Sequence, residues 1–392
     1  MRPDSVAWER AAEVRAAAQG WRRAGAVDAS TEQAIREAYP DPCITPSAVW
    51  RVLTACMVAA VVACTFGALS LAFRPDRAGL QVLMFMFAAV SLVATEVLEA
   101  LPQCARRGAA GATSLLGVVF LLVGFSLFLL ETLNMRFDDA IDTALLASVL
   151  AWAVSAWRWG SPPYAAAAAI SLFLFLERLP HGRVLWALVG VALAGLAARR
   201  LDEASWAPSH RRGAAILVVA GILAAYAAVN VYSFDEHLLE DLGRFGAARV
   251  APSPSLIVVS ALATAVVPLL VLMWGVRSRR TFVLDTGVVL LALSLVTLRH
   301  YVHLAPLWVI LALSGAALVV LALAVERALR RAPGGEIAGV TADPLFADER
   351  QQRAFQVVPV VAAFTAPAAA PEEKGFAGGG GRFGGGGAEE KF

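Results

Sequence analysis

Long runs of apolar residues, broken by short polar connections, fill the chain from Val52 to Ala324. Ten can be drawn: Val52–Phe73, Gly79–Leu98, Ala109–Leu130, Ala140–Trp157, Pro163–Leu176, Val184–Ala198, Gly213–Val231, Ser255–Val276, Thr281–Leu298 and Ala305–Ala324. A bilayer core of about 30 Å is crossed by about 20 apolar residues in a helix. In lipid every backbone N–H and C=O must be satisfied within the protein, which selects helices for such uniformly apolar runs. The pattern predicts an all-α, polytopic membrane helix bundle of about ten transmembrane helices. The fifth and sixth runs, at about 15 residues, fall short of the usual range. If that pair forms a shallow or re-entrant hairpin, eight spans remain.

The flanking segments carry a different pattern. Residues 1–50 are charged and helical in character, unlike the short apolar core of a cleavable signal peptide. Asp4 or Ser5 is placed to cap a helix reaching about Gly20, with Trp8, Ala12 and Val14 among its apolar positions. A second helix is expected from Ser30, where Ser30-Thr31-Glu32-Gln33 fits a capping box. It must stop near Tyr39, because Pro40-Asp41-Pro42 cannot continue a helix. The domain reading is a cytoplasmic head over 1–50, a bundle over 51–326, a juxtamembrane segment over 327–364 and a Gly-rich tail over 365–392. The tail's composition, with Phe376 and Phe383 each near a four-glycine run, is that of a disordered tether.

Charge orients the bundle. Arg22 and Arg23, Arg106 and Arg107, Arg199, Arg200, Arg211 and Arg212, Arg277, Arg279 and Arg280, and Arg327, Arg330 and Arg331 fall on alternate connections. The other connections are richer in acid, at Asp138, Asp139, Asp235, Glu236, Glu240 and Asp241. The positive-inside rule then puts both termini in the cytoplasm. Trp50, Trp157, Trp159, Trp274 and Tyr301 sit at span ends, where an aromatic belt belongs. Composition agrees with the membrane reading: 59% of residues are hydrophobic, 16% charged, and the mean hydropathy is +0.66. Lys374 and Lys391 are the only lysines, an Arg bias that a GC-rich genome explains, and no nucleic-acid-binding face is evident. The four cysteines include no C-x-x-C. Cys56 and Cys64 lie within the first span, while Cys43 and Cys104 fall on the cytoplasmic side, so no structural disulfide or zinc site is expected.

The stretch Trp21-Arg-Arg-Ala-Gly25-Ala-Val-Asp28, followed by Thr31-Glu32-Gln33-Ala34-Ile35, resembles the head of the DUF2157 family of bacterial membrane proteins. That family places such a helical hairpin just before a many-span region. Its usual Asn-Trp pair after the first span is replaced here by Phe73-Arg74-Pro75. The tail is similar to the Gly-rich endings of membrane proteins with TPM or DUF2207 domains, but closes on Glu389-Glu390-Lys391-Phe392. Both resemblances imply a bacterial envelope protein and no particular activity; with the apolar runs, the expectation is a multi-pass protein of the bacterial inner membrane.

Candidate chemistry falls into two groups. His181, His237, His300 and His303 all lie on the outer side, only His210 on the inner. His300 and His303 are three apart, a spacing that suits a divalent metal; with His237, its flanking Asp235, Glu236, Glu240 and Asp241, and Asp138, Asp139 and Asp142 of another outer loop, they are the candidates for a cation or pH-sensing site. Within the spans, charge is costly and marks function or pairing. Asp285 lies one turn into the ninth span and Glu96 near the inner end of the second, with Arg279 or Arg280 as the expected partner of Asp285. Pro268 should kink the eighth span. Asp285-Thr286-Gly287 spells an aspartic-protease triplet, but stands once and in a helix. Ser126 and His300 are the parts of a serine hydrolase without its surrounding motif. No nucleotide-binding, dinucleotide or metalloprotease motif is present.

Three functions are compatible with this pattern. A non-enzymatic scaffold or sensor would act on protein partners through the cytoplasmic head and tail and would need no cofactor. A transporter would use Asp285 and Glu96. An intramembrane hydrolase or transferase would use the outer His and acid residues.

Overall fold

The structure, a computed structural model, describes residues 3–23, 26–40, 48–101, 108–203, 205–230, 254–302 and short pieces between 315 and 341. Its contacts divide the chain into Met1–Leu304 and Ala305–Phe392. The tenth apolar run and the Gly-rich tail lie mostly or wholly outside the described residues, as do Cys43 and Cys104. In the second unit the described residues include helical pieces with an Arg330–Glu326 ion pair at 2.7 Å, and a two-residue antiparallel pairing of Glu336–Ile337 (β1) with Val340–Thr341 (β2).

The first unit is all helix. α1 (Pro3–Arg23) and α2 (Ala29–Ala38) form the head. The bundle helices are α3 (Ala48–Phe73), α4 (Arg77–Ala100), α5 (Ala109–Leu127), α6 (Phe137–Trp159), α7 (Pro162–Arg178), α8 (Gly182–Leu201), α9 (Pro208–Val229), α10 (Pro254–Ser278) and α11 (Thr281–Val302). α5 runs on through a π turn, Phe128–Thr132. Among the described residues seven helices are long and apolar enough to cross a membrane: α3, α4, α5 with its π turn, α6, α8, α9 and α10. The protein is a multi-pass helical membrane protein.

Asp28, rather than Ser30, begins the second head helix. Its carboxylate accepts the Thr31 N–H at 2.8 Å and the Ser30 hydroxyl at 2.7 Å. Ser30 serves the cap from inside the helix, which is why its own motif misplaced the start by two residues. α1 also runs on to Arg23, beyond Gly20. Glu32 is 2% exposed between Arg22 and Arg36, each 2.6 Å away. The Thr31 and Ser30 hydrogen bonds pull the Asp28 pKa down to about 2, from an ordinary 3.8. The Arg22 hydrogen bond, outweighing burial, lowers that of Glu32 as well. Depressed folded pKa values mean stability that is fully present above the unfolded values and lost as pH falls through the folded ones. Amide exchange over residues 29–38 should therefore accelerate, beyond its intrinsic pH dependence, between about pH 4 and pH 2. Asp28→Ala should remove the Asp28 part of that step.

Short connections make neighbouring helices antiparallel, and the most extensive pairings are α4–α5, α6–α7, α8–α9 and α10–α11. The α8–α9 crossing is close. A Cβ added to Gly221 would lie 2.5 Å from the Gly190 oxygen, and one added to Gly190 would lie 2.7 Å from the Gly221 oxygen. Two small-xxx-small faces, Gly190/Ala194 and Gly221/Ala225, thus bring the backbones into direct contact. Around that crossing Ala194, Ala197, Ala214, Val218, Ile222, Tyr226, Val271, Val283 and Leu290 form the main core, joining α8 to α11. A smaller cluster, including Ala169, Phe173, Leu176 and Ala224, ties α7 to α9.

Side-chain bonds sort the helix termini into two ends. At the proximal end, which carries the head, meet the C-terminal ends of α4, α6 and α8 and the N-terminal ends of α7, α9 and α11. At the distal end Arg77 pairs with Glu131 at 2.6 Å, and Arg178 pairs with Asp142 and, at 3.3 Å, Asp138. α7 therefore runs the full distance between the ends, from Tyr164 beside Ser114 to Arg178 beside Asp142. The fifth and sixth apolar runs look short because the helices continue into polar residues. α7 takes in Pro162 at its start and Glu177-Arg178 at its end, and α8 takes in Arg199 and Arg200. Seventeen residues at about 1.5 Å each give α7 about 25 Å of length.

Candidate functional site

Two of the distal acids of α6 are engaged by arginine. Arg178, 14% exposed at the end of α7, reaches back to the first two turns of α6 and holds Asp142 and Asp138. His181 precedes α8 in a left-handed conformation, φ 63°. His237, His303, Asp235, Glu236, Glu240 and Asp241 lie outside the described residues, and of His300 the structure describes the helical backbone alone. Among the described residues no group of three His, Cys, Asp or Glu side chains is placed to hold a metal ion. Ser126, the other half of the hydrolase pair, donates its hydroxyl to the Leu122 carbonyl of its own helix at 2.9 Å.

Asp285 and Glu96 occupy different settings. Asp285 lies on an exposed face of α11. Arg280, one of its two expected partners, bonds Asp202 at 2.7 Å and the Ala198 carbonyl near the end of α8 at 3.4 Å. That geometry places a cation on the last carbonyls of a helix, where the macrodipole favours it. Glu96, one turn before the end of α4, accepts from Arg158 at 2.5 Å and from the Trp159 indole at 3.2 Å. Both charged partners are about one-third exposed, 36% for Glu96 and 34% for Arg158. They border an open groove of about 610 Å³ whose lining includes Leu92, Val93, Val97 and Ala100 of α4 and Val154 of α6. Behind the groove the packing is polar. Thr95 donates to Thr113 at 2.9 Å, and Tyr164, 3% exposed, bonds Ser114 and stacks on Trp152.

The proximal end also holds the head. Glu9 accepts the Ser209 N–H in the first turn of α9 at 3.1 Å, Glu13 pairs with Arg211 at 2.7 Å, and Arg10 donates to the Ser205 carbonyl at 2.9 Å. Glu9 and Glu13 are four apart on α1, so one helix face makes both contacts. A carboxylate on the open N–H groups of a helix start is favoured by hydrogen bonding and by the dipole. His210, next to Ser209, bonds the Trp157 carbonyl at 2.9 Å. The next residue along α6 is Arg158, the partner of Glu96. A run of contacts thus leads from the head to the groove.

A third polar cluster lies near the distal ends of α9, α10 and α11. Tyr226, Asn230, Ser260, Thr264, Ser294 and Thr297 are all buried there. Asn230 donates to Thr297 at 3.3 Å and Ser294 donates to the Thr264 carbonyl at 2.8 Å. Pro268 explains the second bond. It lacks the N–H that would close the helix turn onto Thr264, and the Ser294 hydroxyl takes that place from the neighbouring helix.

Sequence reasoning found Glu96 but missed Arg158, which is 62 residues away and flanked by two tryptophans that read as belt residues. It missed the head contacts as well. The available signal was the Glu9/Glu13 spacing opposite an arginine-rich connection, but Glu32 and Glu37 offered the same charge. Compared with protein-family models, curated proteins and solved structures, the chain matches none of them.

Proposed function

We propose that this chain is a non-enzymatic scaffold or sensor of the bacterial inner membrane, acting on partners through its head and tail. In this reading it has about ten spans, both termini are cytoplasmic, and the proximal end is the inner face. The likeness of residues 21–35 to DUF2157 heads belongs to the same proposal. The observation that carries it is the docking of α1 on the Ser205–Arg211 segment by three polar bonds. Such a contact is suited to switching. An exposed ion pair contributes only about 0.2–1 kcal/mol, so the docked and released heads differ by an energy that a partner, or salt, can overcome. The transporter reading is less well supported, because Glu96 is engaged by Arg158 and Trp159.

The test is a charge swap. With cysteines placed at positions 6 and 207, disulfide crosslinking should report the docked head. Glu13→Arg should lower its yield several-fold, as should raising the salt from 0.1 M to 1 M, where the screening length drops from about 10 Å to about 3 Å. Glu13→Arg with Arg211→Glu should restore it. For function, removal of residues 1–45 and 365–392 should abolish whatever cellular phenotype loss of the whole gene produces. A full phenotype in that truncated protein would sink the proposal.

A further inference from the structure

We propose that anionic phospholipid releases the head: the phosphate of one phosphatidylglycerol takes the place of Glu13 on Arg211, and α1 then leaves the start of α9. The inference rests on the docked head of the scaffold or sensor reading and names the signal to which that head responds.

Level, access and geometry point to that ligand. Ser209 and Arg211 lie in the first turn of α9, one of the helices long and apolar enough to cross a membrane, so the contact sits where a span enters the headgroup layer. Trp206, two residues before α9, lies beneath Arg200 at 5.4 Å and edge-on to His210 at 5.9 Å, an aromatic of the kind enriched at that level. The pair is open from outside, with the Arg211 side chain 35% exposed and that of Glu13 49%. It is also half made. Glu13 meets the Arg211 Nη2 at 2.7 Å, while the neighbouring Nε is buried without a hydrogen-bond partner. A guanidinium holds an oxyanion best through two parallel N–H bonds. Two phosphate oxygens along the Nε–Nη2 edge supply both.

Charge sets the direction. The docking face of α1 carries Glu9 and Glu13 against Arg10 alone, so a negative surface repels it. Arg211 is drawn the other way, and a guanidinium near an anionic surface gains at least as much as an exposed ion pair contributes. Choline lipids carry an ammonium that cancels the phosphate charge, so a bilayer of them leaves the head docked. A soluble phosphate ester has the same oxyanion but must be drawn from solution, whereas the bilayer holds its phosphates at the level of Arg211.

The experiment uses the full chain with Val6→Cys and Ala207→Cys, reconstituted in bilayer discs of phosphatidylcholine alone or with phosphatidylglycerol added, at one ionic strength. The yield of the disulfide between 6 and 207 should fall about five-fold when the anionic lipid is present, the ratio expected for one guanidinium at such a surface. Glycerol phosphate added to phosphatidylcholine discs at the same ionic strength should leave the yield unchanged. Glu13→Arg with Arg211→Glu removes the cation that the lipid takes and puts one on the head, so phosphatidylglycerol should no longer lower the yield. The crosslink of that variant in phosphatidylcholine reports that it is folded and docked. Absence of the crosslink from the unswapped protein in phosphatidylcholine would overturn the docking reading, and this inference with it. Equal yields in the two bilayers, an equal loss with glycerol phosphate, or the same loss in the charge-swapped protein would overturn this inference alone.

Discussion

Replacing Gly221 by valine should separate α8 from α9 and cost the protein about 3 kcal/mol, the upper part of the usual range for overpacking. The cost is high because the obstacle is backbone. A Cβ at 221 would lie 2.5 Å from the Gly190 oxygen and 2.8 Å from the Ala194 nitrogen, and neither atom can rotate away. The two helices must move apart, and the crossing sits within the core formed by Val218, Ile222, Val283 and Leu290. In a membrane the loss is felt chiefly as packing, since lipid tails are as apolar as the side chains they replace. Gly190→Val should act in the same way from the other helix. Gly195 supplies the control: it lies on an exposed face of α8, with no atom within 4 Å of an added Cβ. Gly195→Ala should be neutral or slightly stabilising, because alanine is the better helix former by about 1 kcal/mol. Denaturant-induced unfolding in detergent, followed by Trp186 and Trp274 fluorescence, measures all three. A Gly221→Val protein as stable as Gly195→Ala would show that the backbones do not touch.

The spans were legible because the bilayer demands a property, apolarity over a length, that composition displays directly. The boundaries were less so. α7 and α8 looked too short because Glu177, Arg178, Arg199 and Arg200 continue their helices into the polar layer, where hydropathy stops counting. The alternation of arginine-rich and acidic connections anticipated the two ends of the bundle, since the acids at 138 and 142 and the arginines at 200, 211 and 280 fall on opposite ends. Pairing was hidden. Arg158 with Glu96, Arg178 with Asp142 and Arg211 with Glu13 join residues 36 to 198 positions apart, and each partner had several equally charged rivals nearby in the sequence. Arg280, one of the two partners expected for Asp285, also bonds Asp202 and the Ala198 carbonyl of α8.

Pro268 read as a kink, yet its consequence is a bond between helices. The Thr264 carbonyl, in a residue with no exposed surface, has lost its helical donor and accepts from Ser294 at 2.8 Å. Ser294→Ala should remove that bond from a buried carbonyl, where a lost hydrogen bond costs about 1–3 kcal/mol. Measured side-chain hydrogen bonds in membranes average about 0.6 kcal/mol and reach about 1.7, so a loss of about 1–2 kcal/mol is expected. Pro268→Ala restores an N–H one turn below Thr264 and gives the carbonyl its helical partner back. In that background Ser294→Ala should cost less than about 0.5 kcal/mol, and the difference between the two costs is the coupling energy of the pair. The four proteins of this cycle can be compared by unfolding in the same detergent. Equal costs of Ser294→Ala with and without Pro268 would mean that the hydroxyl and the proline act independently. A smaller cost in the alanine background would show that a broken turn in α10 is what fastens it to α11.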